Sequence, residues 1–215
     1  MGAHVSQAPH QQTLRDTPLA TRFHAACFGC LGYELDLKFL SSEERKDIKE
    51  QIEFYKKYRR VFQYGTFSRV ESLKDNKVVW QVNDGNTALT GFFQTLATAA
   101  ETKGDRLTVK GLPKGKYRLY TRPQRLYIER FGELIKHVLP LPLNPDGLIM
   151  RTVGKHYTLR DAEEGYICSS QALEAGIPLN DQFTGTGYNE KIRMLGDFGS
   201  NMYITERIED NGKAE

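Results

Sequence analysis

Cysteine is scarce in this chain. Three residues in 215, Cys27, Cys30 and Cys168, stand at uneven spacing, which excludes a disulfide framework as the organising principle. There is no apolar run near the roughly 18–20 residues that span a bilayer. Charge of one sign is missing too. Lys and Arg number 30 against 27 Asp and Glu, a net +3, and the bases are dispersed among the acids, so nothing electrostatic points to nucleic acid. Asn-x-Ser/Thr acceptors, a charged-then-apolar leader and lipidation signals are also not found, and the expectation is a cytoplasmic protein with no membrane partner. What is present is ordinary for a folded protein, 39% hydrophobic and 27% charged residues, enough for one large or two modest domains.

The first residues, Met1-Gly2-Ala3-His4-Val5-Ser6, read as an interior strand, and no pairing partner is obvious in the neighbouring stretch of chain. We therefore expect the chain to be the tail of a larger protein, with part of its chemistry elsewhere. To about Gly65 the pattern is helical in its later parts. Thr17-Pro18 predicts a helix start, a hydroxyl cap followed by proline at the first helical position, and Gly29 predicts its left-handed close. Ser41-x-x-Glu44 is a capping box, opening a helix to about Phe62 with an inward stripe of Ile48, Ile52, Tyr55, Arg59 and Phe62. Glu43 and Glu44 at one end and Lys56, Lys57, Arg59 and Arg60 at the other suit the helix dipole.

Beyond Gly65 the period changes to two. Strands are predicted over Phe67–Val70, Lys77–Val82, Leu89–Ala97, Leu107–Val109, Tyr117–Thr121, Leu126–Glu129 and Met202–Ile208, with turns at Asp75-Asn76, Asn83-Asp84-Gly85-Asn86, Lys103-Gly104-Asp105 and Pro113-Lys114-Gly115. Close spacing without helical spacers predicts antiparallel pairing, in a sandwich or meander. Leu143 to Tyr166 reads as loops with at most one strand, and Glu209 to Glu215 as a frayed tail.

Several motifs carry chemistry on paper. Cys27-Phe28-Gly29-Cys30 has redox or zinc spacing, but no second ligand pair accompanies it and no βαβ context is evident, so buried structural thiols are expected. Asp197-Phe198-Gly199 lacks every other kinase element, and Gly185-Thr186-Gly187 opens no helix; both read as turns needing positive φ or close backbone approach. Glu34 and Asp36, two apart, would share a face if extended and form an acid/base pair, or else partner nearby arginines. His4 and Ser6 likewise share a strand face and are candidates for a substrate-pocket wall, or for a hydrogen-bonded interior pair. His10, His24, His137 and His156 show no ligand spacing, and Trp80 is expected in the core. No catalytic residue, metal site or cofactor is assigned.

Three runs together are more specific. One is Met1 to Ser6 with His10-Gln11-Gln12-Thr13, Arg15, Phe28-Gly29 and Gly32-Tyr33-Glu34-Leu35-Asp36-Leu37. Another is Phe54-Tyr55-Lys56-Lys57-Tyr58-Arg59 followed by Gln63-Tyr64-Gly65. The last is Gln182 to Glu190 with Gly196-Asp197-Phe198-Gly199-Ser200 and Tyr203. Together they resemble the carboxyl-terminal third of bacterial α-galactosidases (melibiases) of glycoside hydrolase family 36, although the loop Ala8 to Gln12 departs from that family's commoner form. The resemblance implies an α+β fragment: residues 1–65 as the end of a (β/α)8 barrel, its last strand and helices, then 66–208 as a carboxyl-terminal antiparallel β-sandwich, then 209–215 as a disordered tail. A whole barrel takes about 250 residues, so 65 cannot close one. The family's chemistry is retaining cleavage of terminal α-galactosyl groups by two aspartates, and neither aspartate motif has a counterpart here. The resemblance thus implies α-galactosides as ligands of a parent enzyme, the rest of the barrel and an amino-terminal domain as partners, and room for a homo-oligomer. Two alternatives stay open, a stand-alone carbohydrate-binding or interaction β-domain, and a subunit complementing a separately encoded barrel. On the fragment reading the long-helix stripe, Val5, Leu35 and Leu37, left without the rest of the barrel, are expected to form an uncovered apolar patch.

Overall fold

The computed structural model describes residues 1–70, 72, 74–98, 104–135, 147, 154, 156–183 and 189–209. It is a mixed α/β, sheet-rich chain. Its first unit supplies a partner for the opening strand. Strand β1 (Gly2–Ser6) pairs in parallel with β2 (Cys30–Glu34), Gly2 beside Cys30 and Ser6 beside Glu34, with helix α1 (Leu19–Ala26) in the crossover. Parallel neighbours require such a long connection, and a helix is its usual form. The βαβ context that the sequence does not reveal is therefore present, hidden because β2 is short and interrupted by Gly32.

The start and end of α1 differ from expectation. Pro18 itself is the cap, no side chain bonds the first turn, and Thr17 lies outside. The helix closes at Cys27, and Gly29 does not adopt positive φ. A Cβ on Gly29 would stand 2.8 Å from the Met1 carbonyl oxygen and 2.9 Å from the Ala3 Cβ, so this glycine serves the close approach of β1.

Helix α2 (Ser42–Tyr64) begins as its capping box dictates. Ser41 accepts a bond from the Glu44 amide at 3.1 Å, and the Glu44 carboxylate accepts from the Ser41 amide at 2.8 Å. Its buried stripe is Ile48, Gln51, Tyr55, Tyr58 and Phe62, at alternating steps of three and four. Arg59, expected in that stripe, is exposed; Tyr58 occupies the inward position, one residue back, and its hydroxyl donates to Glu206 at 2.8 Å.

After Gly65 come β3 (Thr66–Val70), β4 (Lys77–Asn83), β5 (Thr87–Gln94), β6 (Arg106–Leu107), β7 (Lys116–Thr121), β8 (Arg125–Tyr127), β9 (Thr158–Arg160), β10 (Gly165–Ser169), helix α3 (Ser170–Ala175), β11 (Ile177–Pro178) and β12 (Ser200–Arg207). A six-stranded antiparallel sheet runs in the order β10-β7-β12-β5-β4-β3. Short pairs β6–β11 and β8–β9 flank it. The β4–β5 hairpin turns where expected: Gly85 has φ +91°, and Asp84 accepts from the amides of Asn86 and Thr87. The predicted run Leu126–Glu129 is strand only to Tyr127, giving way to a 3-10 segment, Ile128–Leu134.

Both faces of the sheet are covered. Val82, Leu89, Met202 and Ile204 pack with Val5, Phe23, Tyr55, Tyr58 and Phe62 of the helical unit. The alternate residues Val79, Ala88, Phe92, Leu119 and Tyr203 pack with Leu107, Leu173, Ile177 and Leu195. Val5 is fully buried and the α2 stripe faces the sheet, so the expected apolar patch is filled from within the chain; Leu37 alone of those residues stands largely exposed, at 56%. Trp80 is half-buried beside Phe28, Phe67 and Phe93. Of the tail 209–215, all but Glu209 lies outside the described residues, as do His137, Gly185 to Gly187 and most of 143–153. Among the described residues no helix is long and apolar enough to cross a membrane.

Replacing Ser41 with Ala removes one arm of the box. The expected loss is about 1 kcal/mol, read as a lower urea midpoint with an unchanged slope; an unaltered midpoint would mean that α2 starts without its cap.

Candidate functional site

Alternation divides β1 and β2 into two unlike faces. Ala3, Val5, Leu31 and Tyr33 point to the helices and join the core. His4 and Ser6, with Cys30, Gly32 and Glu34 beside them in register, occupy the other face, and it is polar and open. The His4 side chain is 57% exposed, and its Nδ1 lies 3.6 Å from a Glu34 carboxylate oxygen. Its ring lies against Gly32, where any Cβ would meet the imidazole. The face thus offers an imidazole, a hydroxyl and a carboxylate at the carboxyl ends of two parallel strands. Glu34 and Asp36 do not act together: Glu34 ends β2, whereas Asp36 caps the 3-10 turn Leu37–Phe39 by accepting from the Lys38 amide at 2.9 Å. The extended backbone that would align them stops between the two residues.

Cys27 is buried and its thiol is pushed well up by that burial, with Arg122 opposing, so it is held protonated. Cys30, expected to be buried, is exposed at the start of β2. The run Asp197-Phe198-Gly199 is a turn, as its residues suggest. Phe198 has φ +55°, Asp197 accepts from the Ala97 amide at 2.7 Å, and a side chain at Gly199 would collide with the Leu195 carbonyl.

A cavity of about 1380 Å³ opens elsewhere, between the loop after β1, the first turns of α1 and α2, β8 and the 194–200 turn. His4 and Ser6 do not line it, and sequence reasoning assigns none of its charged residues a ligand-binding role. Arg22, Asp47, Arg122, Arg125, Arg130 and Arg193 are among those that do. Arg125 bridges to Asp47 and, at 2.6 Å, to Glu50. Arg193, 1% exposed, bonds Asp105 at 2.6 Å and the Asn180 carbonyl at 2.7 Å. Burial alone would push the Asp105 carboxyl up, but the Gln182 bond, Arg193 and Lys74 together hold it below its ordinary range.

Behind the cavity wall His24 is fully buried, its Nδ1 2.8 Å from the Ser200 hydroxyl, which meets Thr21 at 2.9 Å. Its Nε2 has no partner among the described residues.

With this geometry in view, the likeness to known proteins is specific. Residues 1–65 match the family model Melibiase. Alpha-galactosidase AgaA of Geobacillus stearothermophilus is 43% identical over 102 residues, and alpha-galactosidase Mel36A of Lactobacillus acidophilus is 43% identical over 86. A crystallised family 36 AgaA variant in complex with raffinose superimposes with a TM-score of 0.64 and 28% identity over 97% of this chain. The α-galactosidase of Lactobacillus brevis does so at 0.65 and 26% over 100%. The chain is similar in sequence and fold to the carboxyl-terminal part of these family 36 α-galactosidases. It spans only 14% and 12% of the two curated relatives, and 22% and 23% of the two crystallised ones.

The His24 environment has a consequence in acid. Burial, then Arg122, hold its pKa well below the ordinary value, so the unfolded chain takes up a proton first as pH falls through about 6.5. Its contribution is intact above that pH and is lost below it, by up to about 1.4 kcal/mol per pH unit. Denaturant unfolding at successive pH values should show this slope in the native chain and a shallower one in His24→Asn; equal slopes would mean His24 titrates normally when folded.

Proposed function

We propose that this chain provides the carboxyl-terminal part of an α-galactosidase, an enzyme that hydrolyses terminal α-galactosyl groups with retention of configuration, and that it does not catalyse that reaction alone. The parallel β1–β2 pair carries the reading. Parallel sheets are found with both faces covered and several strands wide. Here, among the described residues, each strand has one neighbour, one face is packed and the other is open and polar. On this reading β1, β2, α1 and α2 close a (β/α)8 barrel, and residues 66–208 form a terminal β-domain of sandwich type that packs on the barrel's helical side. The open face then looks inward. Catalytic residues of such barrels gather at the carboxyl ends of the strands, where Ser6 and Glu34 stand.

Retention needs two carboxylates about 5–5.5 Å apart, one attacking the anomeric carbon and one protonating the leaving oxygen. Glu34, 77% exposed and beside His4, has among the described residues no second carboxylate facing it, and Asp36 is engaged with its own turn. Both aspartates of the reaction would come from the part of the enzyme outside this chain. His4 and Ser6 would form pocket wall, donating to or accepting from sugar hydroxyls. The rival reading, a free-standing sugar-binding module, finds less support, because Phe28, Phe67, Trp80 and Phe93 pack edge to face on one another instead of presenting an open platform.

The purified chain should leave a chromogenic α-galactoside intact, and co-expression with a polypeptide carrying the remaining barrel strands should restore turnover. In that reconstituted enzyme, Ser6→Val should raise KM. Turnover by the isolated chain that disappears in Glu34→Gln would overturn the proposal.

A further inference from the structure

Strand β7 ends at Thr121, and Arg122 continues its alternation on the face where Tyr120 meets the helical unit. The residue is 7% exposed. Its guanidinium lies against both Phe23 of α1 and Phe54 of α2, with Cζ 4.9 and 5.3 Å from the ring centroids. The two rings and its burial keep much of the water from the guanidinium while it stays charged. Arg122 lines the cavity of about 1380 Å³. Among the described residues the Arg122 side chain has no hydrogen-bond acceptor and no carboxylate in salt-bridge range, the Asp47 and Glu50 charges acting on it only from beyond that range. A buried cation in this condition calls for an anionic partner.

The acids of the same wall, Glu129 included, are already engaged. Asp47 is held by Arg125 and Tyr127, Asp16 by Arg130, Glu44 by the Ser41 amide and Asp197 by the Ala97 amide. Arg22 donates only to the carbonyls of Ser6 and Thr17, and Arg15 lies over the Phe198 ring. Arg15, Arg22 and Arg122 are thus the wall's arginines outside any ion pair among the described residues, and Arg122 is the most enclosed of the three. We propose that this cavity is an oxyanion site, anchored by the Arg122 fork with Arg22 in the same wall, for a small anion of phosphate or carboxylate type. The planar guanidinium suits both, since each presents two oxygens at the spacing of its N–H pair. Such a site does not depend on the galactosidase reading.

Thermal unfolding of the 215-residue chain with inorganic phosphate, and separately with acetate, tests it at constant ionic strength set by chloride. A ligand that binds only the folded state raises Tm as its concentration passes Kd. We expect a saturable rise with at least one of the two anions, absent from Arg122→Gln; phosphate alone would identify a tetrahedral anion, and acetate alone a carboxylate. A rise with neither, a rise that never saturates, or the same rise in Arg122→Gln overturns the proposal. Should Arg122→Gln fail to fold, Arg122→Lys keeps the charge and loses the fork. Saturation then has to move at least tenfold to higher concentration, and an unmoved midpoint counts against the site.

Discussion

The rest of this structure depends on one apolar contact, that between the helical unit and the six-stranded sheet. Val5, Phe23, Tyr55 and Phe62 meet Val82, Leu89, Met202 and Ile204, all buried to 8% exposure or less. Each such side chain contributes about 1.5–3 kcal/mol by leaving water, and neither partner has another surface for them. A two-stranded parallel pair has too few ladder bonds to persist by itself. It is held because β1 and β2 lie on α1 and α2, and these lie on the sheet. Hydroxyls then fix the alignment, two within the helical unit and the third, from Tyr58, across to the sheet. Tyr55 donates to the Gly29 carbonyl at 3.0 Å, Tyr33 to Gln51 at 2.9 Å, and Tyr58 to Glu206 at 2.8 Å.

The opposite face of the sheet solves a different problem. Its core is interrupted by polar side chains held by backbone or side-chain partners. Gln81 donates to the Lys110 carbonyl at 2.7 Å and accepts from the Lys110 amide at 2.9 Å, as a strand neighbour would. Arg193 and Asp105, 1% and 4% exposed, pair there with Lys74 and Gln182 also on the carboxylate. A buried ion pair adds little net stability over apolar packing, but losing one partner costs about 3–5 kcal/mol. Such pairing holds the strand-poor segments around Asp105 and Asn180 in one arrangement, where apolar contacts alone would let them slide.

What is legible in the sequence is local. The capping box of α2 and the Asp84-Gly85 turn involve residues within four of one another, and both form as read. Strands β3, β4, β5, β7 and β12 carry two-residue alternation long enough to recognise. The β1–β2 pairing is not legible, because the partner arrives 28 positions later and the five residues of β2 include an exposed cysteine and a glycine. Spacing alone puts Arg59 inward, although Tyr58 fits the same helical face within one residue and has an apolar body. Residue type alone puts Cys30 in the core, whereas its place on the open face of β2 decides its exposure. The cavity is beyond reach from sequence. Its walls come from segments more than 170 residues apart, such as Arg22 and Gly196, and Arg122 reads simply as one more base near a strand end.

The unlike faces of β1 and β2 also bear on how one chain serves two roles. Ala3 and Val5, at odd positions, answer to the core, and substituting them is a question of volume. His4 and Ser6 answer to nothing inside the described residues except Glu34, the His4–Gly32 contact and the Arg22 bond to the Ser6 carbonyl. Histidine lying on a glycine in the neighbouring strand leaves its ring fixed in direction while its edge stays free. A structural histidine in this chain looks different: His24 is enclosed, and its Nδ1 is committed to Ser200. The contrast between a buried, engaged imidazole and a positioned, open one separates a residue that builds the fold from one the core does not use.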